Sequence, residues 1–309
     1  MVKYFYKSLR ANKLQEQTKP QRGAWVYVEA PTEKEINELA QQFKLEAGYL
    51  TDAIDEDEMP RLEQENKKSY IFVRFAHALP NGDIDTAPLL VIFTEEQVIT
   101  VSPSHLPALE ALLKGRVASA TTQRAKLVLL ILSQISDQYD TYINQISRKI
   151  KAIRARLRGQ NITNQDLIDF VTIEDELNEF LASLLPNNAT LRRLLVGRHI
   201  PLFEEDQDIV EDLLLSNEQS IEAIRSSLRS IANMRDAHSA ISSNNLNRVL
   251  TILTVATILI SVPSIAMGIY SLNIPLPFQT THWIFWVVMG INISLISVVL
   301  YVARKKRVI

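Results

Sequence analysis

Residues 249–270 read VLTILTVATILISVPSIAMGIY, and residues 283–303 read WIFWVVMGINISLISVVLYVA. The runs are 22 and 21 residues long, and no Asp, Glu, Lys or Arg occurs anywhere from residue 249 to 303. As a helix rises about 1.5 Å per residue, each run can cross a hydrocarbon layer roughly 30 Å thick. The competing reading is a buried helical hairpin of a large soluble domain. Against it stand the length of the runs, the aromatic residues Tyr270, Trp283, Trp286 and Tyr301 at their ends, and the basic group Arg304-Lys305-Lys306-Arg307 right after the second. Both runs are therefore expected to span a membrane.

Working outward, Arg248 precedes the first span and four basic residues follow the second, whereas residues 271–282 between them (SLNIPLPFQTTH) hold no Lys or Arg. This asymmetry predicts a multi-pass protein of the cell membrane with both ends in the cytoplasm. The N-terminus, MVKYFYKSLR, has no apolar signal-like core. Over all 309 residues the composition is 47% hydrophobic and 22% charged with a net charge of -2. That average hides an acidic body with 29 basic and 35 acidic groups in residues 1–248, an uncharged hairpin, and a basic tail. The absence of cysteine excludes disulfides, thiolate metal sites and Cys nucleophiles. Nothing in the charge balance asks for nucleic acid. With Gly at 8 residues, long helices are expected.

Residues 1–115 alternate strand-like and helix-like segments. Residues 24–29 (AWVYVE), 69–78 (SYIFVRFAHA), 89–93 (LLVIF) and 97–102 (QVITVS) are β-rich, and Asn81-Gly82 is a hairpin signal between two of them. Thr32 followed by Glu35 makes a capping box for one helix, and a second is expected near residues 47–54. Together these predict an α/β domain.

Beyond Gly115 the pattern is helical. Residues 116–158 lack Gly and Pro, about 65 Å of possible helix, and residues 160–185 continue up to Pro186. Joined at Gly159-Gln160-Asn161, they predict an antiparallel pair. The basic cluster Arg148, Lys149, Lys151, Arg154, Arg156 and Arg158 is expected to face Glu174, Asp175, Glu176 and Glu179 across it. Residues 202–262 are again free of Gly and Pro, about 90 Å of helix running unbroken into the first span. Leu214, Ile221 and Leu228, with Ile224 and Ile231, form a heptad seam that suits association with copies of the chain or packing on its own long helices. The same positions then turn polar at Arg235, His238, Ser242 and Asn245, which suits a water-filled axis.

Enzyme chemistry finds no footing. The five histidines are scattered, and there is neither a Gly-x-Ser-x-Gly elbow nor a Gly-x-x-x-x-Gly-Lys phosphate loop. No catalytic residue or cofactor is expected, and any transport should be passive.

The first span ends in Pro263-Ser-Ile-Ala-Met-Gly-Ile-Tyr270-Ser271-Leu272-Asn273. A two-span C-terminal hairpin, a long helix running into span one, and this Pro-x-x-x-x-Gly-x-Tyr-x-x-Asn exit resemble the CorA family of divalent cation channels. Asn247-Arg-Val-Leu-Thr-Ile-Leu253-Thr254 is similar to the family's opening of span one, and the acidic residues 52–61 (DAIDEDEMPR) are similar to its helix-turn before a strand. The family's Gly-Met-Asn signature is replaced here by Ser271-Leu272-Asn273.

The resemblance implies an α+β chain with a cytoplasmic α/β domain (1–115), funnel helices (116–200), a stalk continuing into the first span (201–270), an outer loop (271–282), a second span (283–303) and a basic tail (304–309). It implies a homopentamer in the lipid bilayer passing divalent ions, with Mg2+ as cargo and as a regulatory ion. Asn273, with Tyr270, Ser271 and Leu272, would form the hydrated-ion filter. Asn247 would form a polar ring, Leu250 and Leu253 an apolar constriction, Thr254 a hydroxyl step, and Ser261 a further pore position. Their intervals of 3, 3, 1 and 7 keep these five on one helical face. Asp236 would be an acidic ring at the cytoplasmic mouth. Asp212, with Asp52, Asp55, Glu56 and Asp57, would hold a regulatory metal between subunits. Arg304, Lys305, Lys306 and Arg307 would form a basic gating collar. Two alternatives accompany this reading: a transporter of another cation such as zinc, and a non-conducting membrane ion sensor.

Overall fold

The β-rich runs become a seven-stranded sheet in a computed structural model that describes residues 1–11, 13–80, 82–159, 162–196, 199–270 and 283–305. The strands are β1 (Val2–Tyr6), β2 (Gln15–Gln17), β3 (Trp25–Glu29), β4 (Arg61–Glu65), β5 (Lys68–Ala78), β6 (Ile84–Phe93) and β7 (Val98–Ser102), in the order β2-β1-β3-β7-β6-β5-β4. Only β3 and β7 pair in parallel. β5 and β6 form the expected hairpin, closed by the Leu79 N–H to the Asp83 carbonyl, with Gly82 at φ +91. Asn81 lies outside the described residues. The central strands are apolar at successive positions because both faces are covered. On one face Val26, Val28, Tyr70, Phe72, Leu90, Ile92, Ile99 and Val101 pack with Ile36 and Leu39 of α1 (Glu33–Phe43) and Leu50 of α2 (Ala47–Asp52). Thr32 and Glu35 make the full capping box of α1. The edges β2 (QEQ) and β4 (RLEQE) are polar, which discourages further strand addition.

The other face meets long helices. A short α3 (Glu110–Leu113) precedes α4 (Arg124–Arg158), so the helix expected from residue 116 begins later. The reason is a backbone clasp: the Thr121 N–H donates to the Lys7 carbonyl and the Lys7 N–H to Thr121 Oγ1, holding the run-up to α4 on β1's end. Gly159 caps α4, and Gln160 and Asn161 lie outside the described residues. The next helix, α5 (Asn164–Val196), does not stop at Pro186 but carries it inside. It starts on a reciprocal pair in which the Asp166 N–H donates to Thr163 Oγ1 and the Thr163 N–H to Asp166 Oδ2. Contacts of Arg156 with Asp166 and of Tyr139 and Tyr142 with Phe180 run in opposite chain directions, so α4 and α5 are antiparallel.

The stalk is α6 (Glu204–Tyr270), 67 residues in one helix that passes through Pro263. Its side chains pair with α4 in the same chain direction: Ser136 with Asn217, Asp140 with Ser216, and Arg154 with Ser230. The last helix is α7 (Trp283–Lys305). By packing, the chain divides into residues 1–233 and residues 234–309.

Candidate ion pathway

Within residues 1–233, α6 buries one narrow stripe. Asp206, Val210, Leu213, Asn217, Ser220 and Ile224 are buried at alternating intervals of four and three, with Ile231 one heptad further on, a seam packed on the chain's own helices. Of the seam expected from sequence, Ile221, Ile224 and Ile231 are buried while Leu214 and Leu228 are only half-buried. The difference arises because polar side chains share the true seam. Ser136 Oγ donates to Asn217 Oδ1 at 2.9 Å, and Asp140 accepts from both Ser216 and Ser220. Buried groups that find such partners are tolerated where hydropathy alone would reject them.

Half a turn away, the helix carries a second row with the same spacing. Asp208, Asp212, Leu215, Gln219, Glu222, Ser226, Arg229 and Asn233 are all exposed in the single chain. Continued along the sequence, the alternation falls on Asp236, Ala240, Ser243 and Asn247. By sequence spacing alone, the expected mouth acid Asp236 and pore residue Asn247 continue the heptad of the row that holds Asp212.

In residues 234–305 the other expected pathway positions are also unburied. Leu250 is 51% and Leu253 61% exposed, and Asn247, Thr254 and Ser261 are exposed as well. The hydroxyls are locally satisfied: Thr254 Oγ1 donates to the Leu250 carbonyl and Ser261 Oγ to the Thr257 carbonyl, both at 2.8 Å. With its proton turned into the helix, each hydroxyl presents only lone pairs outward, the polarity that water around a cation seeks. Thr251, Thr257 and Ser264 bond in the same i to i-4 manner. α6 ends at Tyr270, and Ser271, Leu272 and Asn273 lie outside the described residues. At the other end of the hairpin Arg304 and Lys305 are exposed in the last turn of α7, and Lys306 and Arg307 lie outside the described residues.

The expected regulatory acids are not gathered within one chain. Asp52 pairs with Arg61 Nη2 at 2.6 Å, Asp55 Oδ1 accepts from the Asp57 N–H, and Asp212 stands exposed on α6. Among the described residues no group of three or more His, Asp or Glu side chains is placed to hold a metal ion. The basic cluster of α4 meets acids of α5 in part: Arg156 pairs with Asp166, holding that carboxyl below its ordinary range, and Lys149 acts on Glu176. Arg154 instead reaches Ser230 on the stalk.

A buried hub around Arg74 was not expected. Arg74 pairs across the hairpin with Pro88, which has no N–H to give, and its own N–H and C=O are taken by the side-chain amide of Asn187 at 2.9 and 2.8 Å. Tyr139 on α4 donates to the same carbonyl. The guanidinium donates to the carbonyls of Glu56 and Glu58 and to Thr86, with Glu179 at 3.7 Å. One side chain therefore ties the acidic turn, the sheet and α5 together. The one signal in the sequence is an Arg inside an apolar strand run, a charge that burial permits only with partners.

Comparison with known proteins agrees with this architecture. Residues 20–306 match the CorA family, described as CorA-like Mg2+ transporter protein. The chain is 23% identical over 288 residues to the cobalt/magnesium transport protein CorA of Methanocaldococcus jannaschii, spanning 91% of this chain and 90% of that one. The complete structure of the CorA magnesium transporter from that organism superposes with a TM-score of 0.85 at 20% identity, covering 98% and 97% of the two chains. The full-length CmaX protein gives 0.77 at 17% identity over 96% and 97%. The ZntB cytoplasmic domain from Vibrio parahaemolyticus gives 0.64 at 11% identity over 78% and 98%. These matches, with two apolar helices long enough to span a bilayer, make this a membrane protein and place it among divalent cation transporters rather than enzymes. The chain belongs to the CorA-like Mg2+ transporter family.

Proposed function

We propose that the protein is a passive, Mg2+-type channel, also admitting cobalt or nickel, in which a ring of Asn273 side chains recognises the hydrated ion. The observation that supports it is the stalk's exposed, mostly polar row from Asp208 to Asn233, whose heptad spacing continues in the sequence to Asp236 and Asn247. Magnesium sheds water reluctantly, so amide and hydroxyl oxygens that accept from its water shell are suitable partners. Asn247, Thr254 and Ser261 supply such oxygens, and Leu250 and Leu253 supply a constriction that closes by dewetting. Five copies around one axis would turn each position into a ring, with Asp236 concentrating cations at the mouth. Arg248 and the Arg304-to-Arg307 collar support an orientation with both ends in the cytoplasm. In that arrangement residues 1–115 and 116–200 form the cytoplasmic funnel and 271–282 the outer loop.

Purified protein in liposomes tests this. Magnesium, cobalt or nickel should enter down their gradients, and Asn273→Ala should abolish the flux. Full flux in that variant overturns the filter assignment. Zinc-only flux assigns a different cargo, and no divalent flux under any gradient leaves the sensor reading.

A further inference from the structure

The exposed row of α6 carries acids at Asp208, Asp212, Glu222 and Asp236 and a single cation, Arg229. Its neighbours are already neutralised: Arg225 pairs with Glu222 at 2.7 Å, and Arg192 from α5 pairs with Glu218. Arg229 is exposed on the face opposite the buried seam, and among the described residues no acid pairs with it. By sequence spacing it lies one heptad, about 10 Å of helix, before Asp236. We propose that Arg229 is a specificity-determining residue of the ion pathway, a ring of fixed positive charge that raises the barrier to cations approaching the Asp236 mouth. The inference rests on the channel reading above.

The physical case is one of distance and sign. A Debye length is about 8 Å at physiological salt, so charges repeated around a narrow axis act on an ion within the ring but little on one outside it. A divalent ion feels twice the repulsion of a monovalent one, so the ring penalises divalent cations most and should weaken as salt rises. With Glu222 already paired to Arg225, Arg229 is the uncompensated charge of this stretch, and without it a cation would meet no fixed positive charge on the row before Asp236.

The chain has no cysteine, so Asn233→Cys, one turn from Arg229 on the same row, gives a unique thiol in the full-length protein. Its reaction rates with anionic and cationic methanethiosulfonate reagents read the local potential without requiring transport. The anionic reagent should react faster, and adding Arg229→Gln should lower the anionic-to-cationic ratio about tenfold, the scale on which focused fields change encounter rates. Arg229→Lys should keep the ratio. In liposomes at low salt Arg229→Gln should raise magnesium influx several-fold and Arg229→Glu more, with the gain lost at high salt. Lys34→Gln, which removes an exposed charge from α1 on the sheet face opposite the long helices, should change neither measurement. A wild type that conducts, with Arg229→Gln altering neither ratio nor influx, overturns the barrier alone, as does a lowered ratio with influx unmoved. Loss of the oligomer at an unchanged ratio also overturns it, because Arg229 would then be a subunit contact. A wild type that moves no divalent ion overturns the channel reading and the barrier with it.

Discussion

In residues 1–233 most large apolar side chains lie inside: Phe75, Phe170, Phe180, Leu89 and Leu90 are at most 1% exposed. In residues 234–305 they lie outside, with Ile260 at 70%, Phe285 at 62% and Trp286 at 69% exposed. The first region is finished by one chain in water. The second is left for lipid and other copies to cover, and lipid gives apolar side chains no drive to cluster, since its tails are as apolar as leucine. Side chains of the span are thus free of the duty to hold the monomer together. Thr254 and Ser261 meet that setting by bonding their hydroxyls to carbonyls of their own helix, which limits the cost of a polar group in the span.

The sharpest way to break this contrast is a matched pair of truncations. Phe180 is fully buried between Tyr139 and Tyr142, and Phe180→Ala should cost about 3–5 kcal/mol in denaturation of the detergent-solubilised full chain. Leu250→Ala should cost residues 1–233 nothing measurable while changing ion flux. Equal losses would mean that the two regions are not independently stabilised.

Next in size is the Arg74 hub. Asn187→Ala leaves the Arg74 N–H without its partner in a buried site and takes one of two donors from the Arg74 carbonyl, which should cost about 2–4 kcal/mol. Asn187 is the residue after Pro186, so its role sharpens the contrast: tertiary hydrogen bonds, not helix propensity, carry α5 past a proline. A loss below that of a surface substitution would remove the hub from the account.

Legibility in the sequence follows the same division. The spans, the Thr32–Glu35 box and the central strands were readable because charge exclusion, capping and apolar runs are local signals. β1, β2 and β4 were not, since VKYFY, QEQ and RLEQE become strands only through their pairing neighbours. Pro186 misled for the reason just given. The stalk seam was read one row off, through Leu214 and Leu228, because Asp206, Asn217 and Ser220 are buried by hydrogen bonds that no hydropathy pattern records. Of the expected pathway positions, Asn247, Leu250, Leu253, Thr254 and Ser261 lie exposed on α6, while Ser271, Leu272 and Asn273 lie outside the described residues. The acids expected to bind a regulatory metal, Asp212 with Asp52, Asp55, Glu56 and Asp57, are not brought together among the described residues of one chain.

Smaller still is the α1 cap, where Thr32→Ala should lower stability by about 1 kcal/mol, read as a shift in the denaturation midpoint. A shift in flux without one in stability would tie the α/β domain to gating directly.

The last prediction separates two buried acids of α5 that differ in what faces them. Glu176 accepts the Ile84 N–H with one oxygen and leaves the other buried without a partner, so burial raises its pKa, with Lys149 only partly offsetting. A carboxyl whose folded pKa exceeds its unfolded one holds its proton more tightly in the fold. Stability should therefore be greatest below the unfolded value and fall as pH rises toward the folded one. Asp166 is the reverse: hydrogen bonds from Arg156 and Thr163 lower its pKa, so its contribution is present above the unfolded value and lost as pH falls through the folded one. Glu176→Gln should flatten the decline above the ordinary carboxylate range and stabilise the protein at neutral pH. Asp166→Asn should destabilise at neutral pH and flatten the acid limb instead. Melting curves of both variants from about pH 2 to about pH 8, which cover the range below and above the ordinary carboxylate values, test the assignment, and a pair of variants with the same pH dependence would show that the ion pair with Arg156 contributes no more than the unpartnered oxygen of Glu176.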